Sequence, residues 1–327
     1  MKKFVYVLVL GVSIWFLTQL PITLPAPWLR WAGNYQLPVV YPATHKYVGT
    51  TGAQFLKIGI GARPIGMGGT YAGIADDVNT IYWNPAGLAQ ITGKELMAQH
   101  IVWFQEVNYE YLAYAQPMGK IGAFGLSVSY LYMGGIEKRT SDTPAPDSTF
   151  GAWDGALTLA YGKKLSKNLL LGGNLKYIYR TIDDKMAQGG AVDLGALYRF
   201  TNKLQVALVA QNLGTPMKFI DQGDPLPLNI KLGVGYKLLK DKLTLGLDVN
   251  YPIDNNLNAN IGAEYNLKFG NFSFPLRVGY KTLNDFKTID SLGVGLGFSW
   301  TGYALDIAWV PYGDLGNTYR VSLKIKF

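Results

Sequence analysis

Cysteine is absent from the 327 residues, which removes any disulfide framework and any thiolate-held zinc, haem or iron–sulfur centre. Histidine is nearly absent too. With only His45 and His100 available, a histidine-rich zinc site or a Ser-His-Asp triad has little to draw on, and no Gly-x-Ser-x-Gly elbow occurs. Charged residues make up just 16% of the chain, and its net charge of +8 includes no run of five like charges. Nucleic-acid binding therefore has no electrostatic footprint. Beyond the N-terminus there is also no apolar run near the 18 or so residues that a membrane-spanning helix needs, which excludes a bundle of such helices. No catalytic residue, metal or cofactor is expected.

What the chain does have is 49% hydrophobic residues, 13% aromatics and 39 glycines, the last about 12% against a usual value of about 7%. So apolar a chain cannot stay unfolded in water. The readings left are a β-rich globular protein and a membrane β-barrel. Met1-Lys2-Lys3 followed by the apolar Phe4 to Leu17 has the shape of an export signal, which assigns residues 1–33 to a signal-peptide region. An uncleaved anchor is the alternative, because Pro21, Pro25 and Pro27 crowd the cleavage region and no Ala-x-Ala triplet precedes Trp28.

From residue 95 to 327 hydrophobicity alternates with period two. Phe124, Leu126, Val128, Tyr130 and Tyr132 stand against Gly125, Ser127 and Ser129, and Leu292, Val294, Leu296 and Phe298 against Gly293, Gly295 and Gly297. About fourteen such segments can be counted, starting near residues 95, 109, 121, 150, 168, 187, 203, 226, 242, 257, 272, 289, 302 and 318. Short turns such as Lys240-Asp241 and Gly270-Asn271 alternate with longer polar loops such as Glu137 to Thr149 and Gly214 to Pro225. That alternation fits an up-and-down transmembrane antiparallel barrel with both ends at the short-turn rim.

A soluble β-sandwich or jelly roll would also alternate. Two features favour the barrel. The polar face carries charges throughout, with Asp193, Arg199, Asp248, Glu264, Arg277, Asp306 and Arg320 as the lumen-facing candidates, while aromatics crowd the apolar face. The chain also ends in the alternating Tyr319, Val321, Leu323, Ile325 and Phe327. Such a Phe-terminated strand resembles the signal read by the outer-membrane assembly machinery. The stretches Trp103-Phe104, Tyr109-Tyr111-Tyr114 and Trp300 to Trp309 are expected to form the membrane girdle.

Residues 34–94 do not alternate, and they are too many for an idle loop. A fourteen-stranded barrel is too wide for its own side chains to fill, so this segment is expected to fold into the lumen as a hatch or plug.

Within it stand Arg63, Gly66-Met67-Gly68-Gly69, Ala75-Asp76-Asp77 and Tyr82-Trp83-Asn84-Pro85-Ala86-Gly87-Leu88, and further on Gln211-Asn212-Leu213-Gly214. Together with the Phe-terminated strand these resemble the signature of the PorV/PorQ-type outer-membrane proteins, relatives of the FadL fatty-acid channels. The resemblance implies a fourteen-stranded barrel with an N-terminal hatch in the bacterial outer membrane. It also implies one of two roles: passive transport of hydrophobic small molecules, or, as in PorV, a secretion component that holds exported proteins at the cell surface. Outer-membrane lipid and the assembly machinery are the other expected partners.

Local chemistry argues for structural roles at the hatch motif. Gly66-x-Gly68-Gly69 lacks the Gly-Lys-Ser/Thr ending of a phosphate loop and reads as close-packing backbone. Asp76 and Asp77 could bind a cation, but they more simply answer a lumenal base, and Arg63 is the plausible partner. Asn84-Pro85-Ala86-Gly87 is turn chemistry, expected to anchor the hatch to the first strand. The lumenal charges are expected to satisfy one another across the barrel. Lys120, Lys163, Lys164, Lys167, Lys203, Lys240 and Lys242 at the short turns, against aspartates in the long loops, should give the two rims opposite potentials.

Overall fold

The structure, a computed structural model, describes residues 45–104, 107–282 and 291–327. The expected signal region at residues 1–33 lies outside the described residues, as does the first part of the 34–94 segment. The strands are β1 (Glu95–Val102), β2 (Asn108–Pro117), β3 (Ala123–Lys138), β4 (Ser148–Lys164), β5 (Leu169–Ile182), β6 (Lys185–Arg199), β7 (Leu204–Gly214), β8 (Met217–Lys218), β9 (Gly223–Asp224), β10 (Asn229–Leu238), β11 (Leu243–Pro252), β12 (Asn258–Phe269), β13 (Phe272–Lys281), β14 (Leu292–Trp300), β15 (Tyr303–Pro311) and β16 (Asn317–Lys326). All except β8 and β9 form one closed barrel in which each strand runs antiparallel to its neighbours. The seam joins β1 to β16, from Glu95 opposite Lys326 to Val102 opposite Tyr319.

All fourteen strands expected from the alternation are present. The largest offsets are three residues, 226 against Asn229 and 289 against Leu292. The reason is the pleat: successive side chains point to opposite faces, so a wall with lipid on one side and packed polar groups on the other leaves a period-two record. Phe124, Leu126, Val128, Tyr130 and Tyr132 are exposed on the outside, as are Leu247, Leu296 and Phe298, whereas Ser127, Ser129, Asp248 and Arg277 are buried inside. An outer surface of exposed Leu, Val, Ile and Phe all the way round suits acyl chains and not water. It argues against the soluble sandwich.

Three details depart from the expectation. The loop from Gly214 to Pro225 is not irregular throughout, because β8 and β9 pair as a small hairpin. Gly52 reaches this hairpin, donating its amide to the Pro225 carbonyl at 2.8 Å. The β5–β6 connection on the long-loop rim is the two-residue turn Asp183-Asp184, with Asp183 at a φ of +53°. Tyr109 and Tyr111 are not girdle residues: both point inward and are buried. They share the parity of Ala113 and Ala115, which are also buried inside, while Glu110 points outward and meets His100 at 2.6 Å.

The exterior belt makes one prediction about stability. Leu247→Arg, midway along β11, is expected to cost about 2–4 kcal/mol, whereas Phe200→Arg at the rim costs about 0–1 kcal/mol. Urea titration of the barrel folded into lipid vesicles measures both.

Candidate functional site

The residues between 45 and 94 form only single helical turns, Gln54–Lys57, Ala62–Gly66, Thr80–Trp83 and Pro85–Gln90. Glycine and proline punctuate them too densely for longer helices. Phe55, Ile60, Ile65, Met67, Ile81 and Leu88 are all buried, and they pack against inward-facing Met97, Ile101, Tyr109, Tyr111 and Ala308 of the wall. This inner segment occupies the space that inward side chains alone leave open in a barrel of this girth.

Its backbone lies directly on the wall where the wall has glycine. A Cβ at Gly66 would sit 2.8 Å from the Cα of Gly295, and one at Gly68 would sit 2.7 Å from the Tyr280 amide nitrogen. Gly73 meets Val234 and Gly235 in the same way. Gly68 and Gly69 also hold φ values of +68° and +77°, which side-chain-bearing residues rarely adopt. These glycines carry no ligand-binding geometry.

Arg63 joins the segment to the wall electrostatically. Its Nη1 donates to Asp76 at 2.7 Å and Asp77 at 3.0 Å, and its Nε and Nη2 donate to the two oxygens of Glu264 on β12, each at 2.9 Å. Glu264 also accepts from Arg277 Nε at 2.6 Å, and Arg277 Nη1 reaches Asp306 at 2.7 Å. Asp77 accepts from Lys324 Nζ at 2.7 Å and from the side chain of Asn79 at 2.8 Å. Burial alone would raise the Asp77 carboxyl, but Lys324 and Arg63 outweigh it and hold the group well below the usual carboxylate range. The Arg63 guanidinium, despite burial, is held charged by Asp76 and Glu264. With every carboxylate answered by a base, no free acidic pair remains for a cation, and among the described residues no cluster suits a metal.

The other expected residues occupy distinct places. Trp83 donates its indole N–H to the Ile60 carbonyl at 2.8 Å, with Lys231 Nζ 4.5 Å from its ring centre. Asn84 caps the Pro85–Gln90 turn, accepting from the Ala86 amide at 3.1 Å and donating to the Ala72 carbonyl at 2.9 Å. Asn84 and Pro85 press on Gly162, Gly172 and Gly195 of β4, β5 and β6, and Gly87 packs on Ala75 and Thr80. The motif therefore anchors to those three strands and not to the first strand. The inner segment meets β1 instead through the Val78 amide, which donates to Glu95 at 2.9 Å, and the Gly61 amide, which donates to Gln99.

Asp248 accepts the amides of Tyr71 and Ala72 at 2.9 and 3.0 Å. Asp193 receives Lys176, Asn174 and the Asn212 amide, each at 2.7 Å. Arg199 and Arg320 depart from the expected mutual pairing of lumenal charges. Arg199 donates to the neutral Gln90 at 2.7 Å, and Arg320 to Thr318 at 3.0 Å; among the described residues neither meets a carboxylate. Lys231, buried beside Trp83, escaped the sequence reading although it shares the inward parity of Gly233 and Gly235.

At the long-loop end, a cavity of about 230 Å³ separates the inner segment from β13 to β16. Ile58, Ile65, Leu292, Val310, Trp103 and Tyr312 supply apolar and aromatic wall, and Lys57, Lys281 and Arg320 supply cations. It is the feature of the interior with the shape of a ligand site.

A family profile described as "Uncharacterised protein family (UPF0164)" matches residues 40–218. The chain belongs to the UPF0164 family. A UPF0164 protein of Treponema pallidum (strain Nichols) is 28% identical over 174 residues, 50% of this chain and 44% of that relative, so the match spans less than half of the relative's length. By structure, this UPF0164 chain is similar to the Ralstonia pickettii toluene transporter TbuX, with 12% identity, TM-score 0.57, and coverage of 82% of this chain and 98% of the other. The Pseudomonas putida toluene transporter TodX gives 11%, 0.54, 81% and 96%. A Pseudomonas aeruginosa FadL homologue gives 12%, 0.54, 81% and 97%. These likenesses show the FadL-type barrel fold. The family shown is UPF0164, which does not confirm the PorV/PorQ type.

Two predictions follow for the UPF0164 network. Glu264→Gln leaves two buried arginines short of a partner and should cost about 3–5 kcal/mol in vesicle-based urea unfolding. The second concerns pH. Because the Asp77 pKa is depressed by folding, its contribution is fully present above the unfolded carboxylate value of about 4 and is lost only as pH falls towards its folded value. Asp77 should thus add no pH dependence to stability in vesicle-based urea unfolding between pH 7 and pH 5, and Asp77→Asn should lower that stability about equally at both.

Proposed function

We propose that this UPF0164 chain is a bacterial outer-membrane barrel that passes hydrophobic small molecules passively across that membrane, with the inner segment as its hatch. The observation that carries the reading is the pairing of a lipid-suited exterior with a filled lumen that still keeps an aromatic-walled cavity beneath the long-loop rim. An aqueous porin would leave its centre open to water and polar solutes. Here a solute must part from water at the cavity and then pass a segment whose polar groups are largely paired among themselves. The fold shared with toluene transporters supports the same reading. Export through a signal at residues 1–33 and insertion by the assembly machinery reading the strand that ends in Phe327 belong to it. Vesicles with a lipopolysaccharide outer leaflet should take up toluene several-fold faster with the protein than without it, and equal flux contradicts the proposal.

A second reading rests on a different observation. β3 to β6 are much longer than β1 or β14, which raises one side of the wall towards the long-loop rim with the exposed 139–147 loop at its tip. Such a wing offers a surface for holding an exported protein, as the PorV resemblance implies. Mild-detergent extraction from native membranes should then recover a stoichiometric protein partner, and deletion of residues 140–146 should release it. A barrel recovered without any partner contradicts this reading.

A further inference from the structure

Arg320 is 2% exposed, yet it has no ionic partner among the described residues. Its Nη1 donates to Thr318 and its guanidinium carbon lies 5.4 Å from the Trp103 ring centre, while its Nε has no hydrogen-bond partner. A guanidinium taken from water and left unpaired is costly. Nothing in the packing of β16 requires it, since Thr318 and Ser322, the flanking inward residues of that strand, are small and neutral and are also buried. Arg320 lines the cavity at the long-loop end together with Lys281, which likewise makes no ion pair among the described residues, and Lys57, which Asp254 holds at 2.9 Å. Two cations without a counter-ion among the described residues thus face one small space. Beside the charge stand Trp103 and Tyr312, with ring centroids 5.3 Å apart, and Ile65.

We propose that this cavity is a binding site for a small aromatic monocarboxylate. Its carboxylate would pair with the Arg320 guanidinium, whose planar fork suits carboxylate oxygens. Lys281 supplies the second positive charge, and the ligand ring lies against Trp103 and Tyr312. Size selects the class. A volume of about 230 Å³ lies below the range of roughly 300–1,000 Å³ typical of drug-sized sites, so one ring fits better than a long acyl chain. The anion answers charge that the described residues leave unpaired.

The inference goes beyond the transport reading, because occupancy is measured on solubilised protein in which no flux occurs; absent binding and absent flux are separate results. The test uses the full chain in maltoside micelles and fluorine NMR titration with 4-fluorobenzoate and, as its neutral counterpart, 4-fluorobenzamide. The benzoate should bind at least about tenfold more tightly. Lys281→Gln, which disturbs no ion pair among the described residues, should weaken the benzoate several-fold and leave the benzamide unchanged. Arg320→Gln should erase the preference and Arg320→Lys restore part of it, each variant first shown to be folded by its heat-dependent gel mobility. Equal binding of the two probes, binding of neither up to millimolar concentration, or a benzoate affinity indifferent to Lys281 and Arg320 would overturn the proposal. Octanoate binding as tightly as the benzoate would overturn the aromatic class.

Discussion

One guanidinium makes the filler and the wall a single structure. Arg63 sits on a five-residue turn inside the barrel and bonds at once to Asp76 and Asp77 of its own segment and to Glu264 of β12. Fourteen strands close a ring too wide for inward side chains to fill, so the interior needs a second layer of chain. That layer is short of helix and strand, and it cannot satisfy its own polar groups by regular hydrogen bonding. Charge pairing with the wall supplies what secondary structure does not. Arg277, Asp306 and Lys324 extend the network over β13, β15 and β16, so the segment is held on one side by ions.

Elsewhere the segment is held by shape. Glycines of β4, β5 and β6 admit Asn84 and Pro85, and glycines of β10, β13 and β14 admit the backbone at Gly66, Gly68 and Gly73. Contact of backbone with backbone leaves no slack for sliding, since any side chain there would force the layers apart. An interior cavity is found where this close packing gives way to Trp103, Tyr312, Lys281 and Arg320.

Much of this is legible in the sequence. Period-two alternation placed the fourteen barrel strands because the two faces of the wall meet different media. The side chains at Asp193, Asp248, Glu264, Arg277, Asp306 and Arg320 fall on the inner face for the same reason. What stayed hidden needed pairing across the fold. Arg63 and Glu264 are about two hundred residues apart, and no local pattern selects Glu264 from the other lumenal acids. Tyr109 and Tyr111 were misplaced because aromatic character was weighed above parity; Glu110 points outward near the rim only because His100 receives it. Lys231 obeyed the parity and was passed over. The β8–β9 hairpin has two-residue strands, too short for any periodicity to reveal.

The central claim is that the inner segment is fixed to a self-sufficient barrel by the Arg63 network. Hydrogen–deuterium exchange with mass spectrometry, comparing the native chain with Arg63→Met in lipid vesicles, addresses it most directly. The account predicts faster exchange across residues 60–83 in the variant, with β3 to β6 as protected as before. Unchanged protection of residues 60–83, or equal loss of protection throughout the barrel strands, would contradict it.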